Sequence, residues 1–235
     1  MKVYAHRGAS KECAENTVGA FRQALRRGAF GIELDVHLSK DRVPVVIHDP
    51  TVERTTNGSG VVAEMTLEEL QVLDAGAGAR IPTLAEVLDV VASQCHVDIE
   101  VKAVAAAETV LREAERRHSL RWAMSSFDHD VLRFVRSRSR EIELWPLVTE
   151  VSADALAAVR ELISPVLAIA DRGLTRDVVS ELRALDIGVW VWTVNEPHRA
   201  RTLASWSVES VCTDDPGVIM DAIGLEREGG SGASG

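Results

Sequence analysis

His6-Arg7-Gly8, Glu33-Leu34-Asp35, His48-Asp49 and Glu100-Val101-Lys102 each close a short apolar run that reads as a β-strand. They bring two histidines, the carboxylates of Glu33, Asp35 and Glu100, and the cations Arg7 and Lys102 to strand ends. Histidine titrates close to neutral pH, so His6 and His48 are the acid–base candidates. Glu33 and Asp35 stand two apart on a strand and point to the same side, ~7 Å apart along the chain. Two like charges on one face repel unless a cation lies between them. With Glu100 from another strand end, and water completing the shell, they suit a hard divalent ion, Mg²⁺ or Ca²⁺; salt bridging to Arg7 or Lys102 is the alternative. Arg7 offers a planar fork and Lys102 a compact point charge, both fit to bind phosphate. The inventory suits metal-assisted chemistry on a phosphate ester.

Other residues stand close to this set. Gly8 permits a tight turn behind Arg7. Asn16, in Glu15-Asn16-Thr17, is placed to hydrogen-bond a substrate, to hold His6 or to cap a helix. Trp192 closes a strand with Trp190 on the same face, as a pocket wall or as barrel packing. Ser125-Ser126-Phe127 closes another strand, and Asp214 stands where it can orient a neighbouring cation. His37, His96, His118, His129 and His198 are read as structural or surface residues. No nucleophile elbow, Walker loop or Cys-rich zinc spacing occurs.

The elements that position these residues alternate. Strands are expected at Val3–His6, Gly31–Val36, Val97–Val101, Trp122–Ser125, Ile142–Leu147, Val166–Ala170, Val189–Val194 and Val208–Thr213. Helical patterns lie between them, at Thr17–Arg27, Leu84–Ser93, Ala105–His118, Asp130–Arg138, Ala153–Ile163, Arg176–Leu185 and His198–Ser205, with Gly217–Ile223 last. Eight strand–helix units in 235 residues point to an α/β fold, a closed (β/α)8 barrel. A doubly wound sheet is disfavoured, because no Gly-rich dinucleotide turn follows any strand. Pro44–His48 breaks the alternation. Only Leu38–Arg42 separates it from the second strand, too little for a parallel crossover. The chain must return antiparallel, bringing His48 back beside Glu33 and Asp35.

Residues 49–81 form a loop-rich insertion after that hairpin, with a short helix within Thr66–Leu73, either a functional cover or a structural excursion with no substrate contact. One domain is expected over residues 1–228, and residues 229–235 read as a flexible Gly/Ser tail or linker with no function of its own. A formal charge of −10 argues against a nucleic-acid partner. Cys13, Cys95 and Cys212 are too few and too scattered for a disulfide framework, which fits a reducing compartment. The N-terminus runs straight into His6 with no leader pattern, and no apolar run approaches the ~20 residues of a membrane span. A cytoplasmic chain without a membrane anchor is expected. Nothing in the sequence sets its oligomeric state.

At these residues the chain resembles the glycerophosphodiester phosphodiesterase family, within the phospholipase C-like barrels. The matching pieces are His6-Arg7-Gly8, Glu15-Asn16-Thr17, Glu33-Leu34-Asp35, His48-Asp49, Arg54-Thr55-Thr56, Glu100-Val101-Lys102, Ser125-Ser126-Phe127, Trp192-Thr193-Val194-Asn195 and Thr213-Asp214-Asp215-Pro216. They run from His6 to Pro216, specific in their order and combination. The resemblance implies a TIM barrel with a small insertion after the second strand. It implies a divalent metal on Glu33, Asp35 and Glu100, an acid–base pair in His6 and His48, and phosphate contacts from Arg7 and Lys102. The implied substrate is a small glycerophosphodiester, cleaved to glycerol 3-phosphate and an alcohol. Rival readings are a phosphodiesterase acting on lysolipids, a non-catalytic phosphate-binding barrel and a lyase using Lys102. Ala14 stands where the family usually has proline, and Ser39 and Arg42 stand where it has threonine and glycine.

Overall fold

Eight parallel strands close on themselves, and the computed structural model describes residues 1–91 and 93–225. The first half of the chain runs β1 (Lys2–His6), α1 (Val18–Arg27), β2 (Gly31–Leu38), β3 (Pro44–Val46), α2 (Leu67–Gln71), α3 (Leu84–Val91), β4 (His96–Val101), α4 (Val104–Glu115) and β5 (Arg121–Ser126). The second half runs α5 (His129–Arg138), β6 (Glu143–Val148), α6 (Ala153–Glu161), β7 (Val166–Ala170), α7 (Arg176–Ala184), β8 (Gly188–Trp192), α8 (Pro197–Ser205), β9 (Ser210–Thr213) and α9 (Pro216–Ala222). Strand β1 pairs with β2 on one edge and β9 on the other, which closes the ring. The expected (β/α)8 barrel is the fold. The expected tail, 229–235, lies outside the described residues.

Alternation along each strand sorts the core into two zones. Val3, Ile32, Leu34, Val97, Ile99, Val191 and Val211 face outward and are sealed against the helices. Tyr4, Ala123, Trp145, Ala168, Trp190 and Cys212 share a separate cluster inside the ring. Gly31 is needed here: a Cβ would lie 2.4 Å from the Tyr4 ring. The glycine therefore gives Tyr4 its place in the barrel's lower layer.

The antiparallel hairpin is present. Strand β3 takes the edge of β2 beyond the reach of β1, pairing Val36 with Val46 and Leu38 with Pro44. The ladder is shorter than the expected Pro44–His48, but the Ile47 amide still donates to the Asp35 carbonyl at 3.0 Å, so His48 leaves the strand beside Asp35. At the turn Arg42 sits at φ +63°, a conformation that favours glycine. The insertion carries its own small apolar core of Val52, Val62, Leu70, Ala75 and Ile81, packed on Val45 and Ile47. Its helix α2 starts at a capping box of Thr66 and Glu69, and Thr83 and Glu86 form the same device at α3. Helix α4 ends at Glu115 rather than His118. Arg117 turns back and its guanidinium donates to the Glu113 carbonyl at 2.8 Å, satisfying a helix-end acceptor that another turn would have used.

Candidate active site

Register assembles the carboxylates. His6 pairs with Glu33 across β1 and β2, while Glu33 pairs with Asp98 and Asp35 with Glu100 across β2 and β4. One carboxylate oxygen each from Glu33, Asp35 and Glu100 lies within 4.8 Å of the other two. All three residues are buried. The donor set is entirely hard oxygen, and the residues fit a divalent ion of the Mg²⁺ or Ca²⁺ type.

The charges around this cluster are only partly balanced. Lys102 Nζ lies 2.6 Å from Asp35 Oδ1 and also contacts Glu100 Oε1. Arg7 Nε is 3.2 Å from Asp35 Oδ2, and its Nη1 donates to Glu15 at 2.9 Å. Asn16 donates to Asp35 Oδ2 at 2.8 Å. Burial alone would raise the Asp35 carboxyl, but Lys102 and Arg7 hold it well below the usual range. Glu33 and Glu100 go the other way. Burial first, then the neighbouring carboxylates, raises Glu33 and pushes Glu100 up to about 7. Two cations therefore serve Asp35 most, with Lys102 shared with Glu100, and leave the cluster short of positive charge, which a divalent ion would supply.

The backbone is bent to the same end. Arg7 and Asn16 both sit at φ +56°, and the Asn16 amide donates to the Arg7 carbonyl at 2.9 Å. The Arg7 amide in turn donates to Glu33 at 3.0 Å. Left-handed backbone costs an L-residue about 1–2 kcal/mol and persists where its surroundings over-determine it. Gly8 follows at φ +82°, where a Cβ would lie 2.6 Å from the Ala20 backbone.

Each histidine is pinned through Nδ1. His6 Nδ1 lies 2.6 Å from Asp214, which also accepts from Asn195 at 2.6 Å and Ser10 at 3.1 Å. Burial opposes the charge on Asp214, yet these bonds hold it down to about 2. His48 Nδ1 lies 2.6 Å from Asp49, and the Arg54 guanidinium holds Asp49 at about 2. Both histidines line the pocket together with Arg7, Glu33 and Glu100. Burial lowers His48, aided by Lys102, against the pull of Asp35. His37 lies alongside, bonded to the His48 carbonyl at 3.0 Å.

The structure thus gathers His6, Arg7, Glu33, Asp35, His48, Glu100 and Lys102 at one end of the ring. Trp192 lines the same pocket beside Phe127, ring centroids 5.3 Å apart. Asn16 does not hold His6: its amide engages Asp35, and Asp214 takes the histidine. Asp214, expected to orient a neighbouring cation, lies against His6, which is a cation when protonated. Three features escaped the sequence reading. Arg54, from the insertion, clamps Asp49 and Glu15 and so braces His48 and Arg7 together. Glu15 is the second half of that brace. Asp98 is wholly buried in the pocket wall; its place two residues before Glu100 on a strand was the available signal.

Comparison with known proteins agrees with this geometry. Residues 6–218 match the model of the glycerophosphoryl diester phosphodiesterase family. A glycerophosphodiester phosphodiesterase of Caldanaerobacter subterraneus is 35% identical, the match covering 97% of this chain and 98% of that one. One from Bacillus altitudinis is 34% identical over 92% of this chain and 95% of its own. Among solved structures, an Oleispira antarctica phosphodiesterase in complex with the product sn-glycerol-3-phosphate superposes with a TM-score of 0.92 at 28% identity, covering 95% of this chain and 97% of that one. A glycerophosphodiester phosphodiesterase from Thermotoga maritima gives 0.81 at 30% identity, with 93% and 96% covered.

Proposed function

This chain belongs to the glycerophosphoryl diester phosphodiesterase family, whose members are phosphoric diester hydrolases, and from that premise we propose that it hydrolyses glycerophosphodiesters to glycerol 3-phosphate and an alcohol with a divalent metal and a His6/His48 acid–base pair. The observation that carries the reading is the pairing of two carboxylate-braced histidines with a three-carboxylate cluster in one pocket.

Arg7 and Lys102 neutralise the phosphate oxygens, the planar fork of Arg7 also fixing orientation. One histidine accepts at Nε2 the proton of the nucleophile, either water or the neighbouring glycerol hydroxyl, as the new P–O bond forms; in the second case water then opens the cyclic phosphate. The other gives its Nε2 proton to the departing alkoxide as the old P–O bond breaks. Asp214 and Asp49, each 2.6 Å from Nδ1, fix the orientation of the two rings and the tautomer each needs. Asn16 keeps Asp35 turned toward the cluster, and Trp192 walls the pocket. When bound, Mg²⁺ or Ca²⁺ on Glu33, Asp35 and Glu100 supplies Lewis-acid stabilisation of phosphate charge.

The barrel and the 49–81 insertion act as one catalytic domain, since the insertion contributes Asp49 and Arg54. The partner is a small molecule; a net charge of −10 speaks against nucleic acid. Among the described residues no helix is long and apolar enough to cross a membrane. Unpaired Cys13, Cys95 and Cys212 are in keeping with a cytoplasmic setting. The test is release of glycerol 3-phosphate from glycerophosphocholine with Mg²⁺ or Ca²⁺ and with EDTA. Metal-dependent release is expected. Release only from micellar lysolipids would reassign the substrate, and metal-independent release would overturn the carboxylate cage.

A further inference from the structure

Among the described residues, the buried side-chain polar atoms that lack a hydrogen-bond partner belong to Arg7, Asp35, Asp98, Ser125, Trp190 and Trp192. Arg7 Nε and Asp35 Oδ1 nevertheless have ionic partners, at 3.2 and 2.6 Å. The remaining four residues line one pocket, of about 370 Å³ with its open mouth included. Asp98 and Ser125 are fully buried and Trp190 is 2% exposed. Burial raises the Asp98 carboxyl well above the usual range; Ser125 lies near enough to oppose this, but without hydrogen-bond geometry. Leaving a buried polar group unpaired costs about 1–3 kcal/mol. Orphans gathered on one pocket floor mark groups that await a ligand.

The chemistry of the floor selects that ligand. Asp98 offers two acceptor oxygens, the Trp190 indole a donor, and Ser125 either. An anion gains little from a buried carboxyl group set beside two more, Glu33 and Glu100. A metal ion gains nothing from an indole N–H. A hydroxyl group, donor and acceptor at once, satisfies all three. Strand register sets the depth: Asp98 lies on β4 below Glu100, and Trp190 on β8 below Trp192.

Resting on the hydrolase reading above, we propose that Asp98, Ser125 and Trp190 form a subsite for the free hydroxyls of the glycerol moiety, which makes the enzyme selective for an unacylated glycerol ester while the leaving alcohol points to the pocket mouth. These are specificity residues that touch substrate; the acid–base work stays with the histidines.

The experiment compares glycerophosphocholine with an analogue carrying a methyl group in place of the terminal hydroxymethyl of glycerol. The wild type should prefer the glycerol ester by at least about 100-fold in kcat/KM, because a site built to bond a hydroxyl rejects its absence strongly. Ser125→Ala and Trp190→Phe should each narrow that preference about tenfold, and Asp98→Ala further. Calorimetry with glycerol 3-phosphate and propane-1,2-diol 1-phosphate makes the same comparison without turnover. A chain that cleaves neither ester but binds glycerol 3-phosphate preferentially, with the preference lost in Ser125→Ala, refutes the hydrolase reading and keeps the subsite. Equal affinity for both phosphates in the wild type, or an unchanged preference in folded Ser125→Ala and Trp190→Phe, overturns the subsite.

Discussion

On β4, His96 and Glu100 are four residues apart, face the same side of the barrel wall, and live in opposite surroundings. At the lower end His96 stacks on Trp145 with ring centroids 5.5 Å apart and meets the Tyr4 hydroxyl at 3.2 Å. Tyr4 also packs edge-on against Phe30 and Trp190. The rings there close on one another, and only the Trp190 indole nitrogen, which borders the pocket, lacks a partner among them. At the upper end Glu100 faces Glu33 and Asp35, beside strained Arg7 and above the unpaired Asp98. The lower end of the barrel is arranged for packing, and the upper end holds like charges and strain that only a ligand relieves. This is the trade expected where a site is kept in a reactive form at the expense of stability.

The comparison breaks if the two ends respond alike to substitution. His6→Ala and His48→Ala should each lower kcat by about 10² to 10⁴-fold with little change in melting temperature. Wild-type rates in both variants would remove the acid–base pair. Trp145→Ala, at the other end, should cost about 3–5 kcal/mol in urea unfolding while the folded fraction keeps near-normal turnover. A large kcat loss without loss of stability would show that the two ends are coupled rather than separate. Glu33→Gln sharpens the contrast from above. Without metal it should raise stability by about 1 kcal/mol, because one repelling carboxylate is gone. Mg²⁺ or Ca²⁺ should raise the melting temperature of the wild type and much less that of the variant. Equal metal-induced shifts would place the ion elsewhere.

The same contrast explains what the sequence disclosed. Glu33, Asp35 and Glu100 were legible because strand alternation has a period of two and an apolar run ending in a carboxylate is conspicuous. His48 was legible because five residues, Leu38–Arg42, cannot make a parallel crossover. The partners of these groups were not legible, since they lie far off in the chain: Asp214 stands 208 positions from His6, and Arg54 reaches 39 positions back to Glu15. Asp98 was hidden for another reason. A carboxylate inside an apolar strand invites a surface reading until the neighbouring strands show that its face is the barrel interior. The resemblance to a family included Glu15, Arg54 and Asp214 among its matching pieces but gave roles only to the conspicuous residues. At the lower end, Tyr4, His96, Trp145 and Trp190 are individually ordinary, and only closure of the ring stacks them.

The smallest expected effect concerns His96 and tests whether the lower end is as passive as it looks. Burial, aided by the positive charges of Arg121 and Lys2, holds its imidazole down to about 4 from an ordinary 6.5. The unfolded chain therefore takes up a proton before the folded one does. Stability from this residue is present in full above pH 6.5 and is lost as pH falls from 6.5 toward 4. In the neutral tautomer that carries its proton on Nε2, Nδ1 accepts from the Tyr4 hydroxyl 3.2 Å away, and protonation would forfeit that bond. At pH 5 the loss should be about 1 kcal/mol, after allowance for the water that reaches a partly exposed ring. Urea unfolding of wild type and His96→Phe at pH 7 and pH 5 measures it. The wild type should lose more stability on acidification than the variant by that amount. Because Glu33 and Glu100 are raised carboxyls in both proteins, their contribution cancels in the difference. An identical drop in the two would mean that His96 is already solvated, and that the lower end is looser than its stacked rings imply.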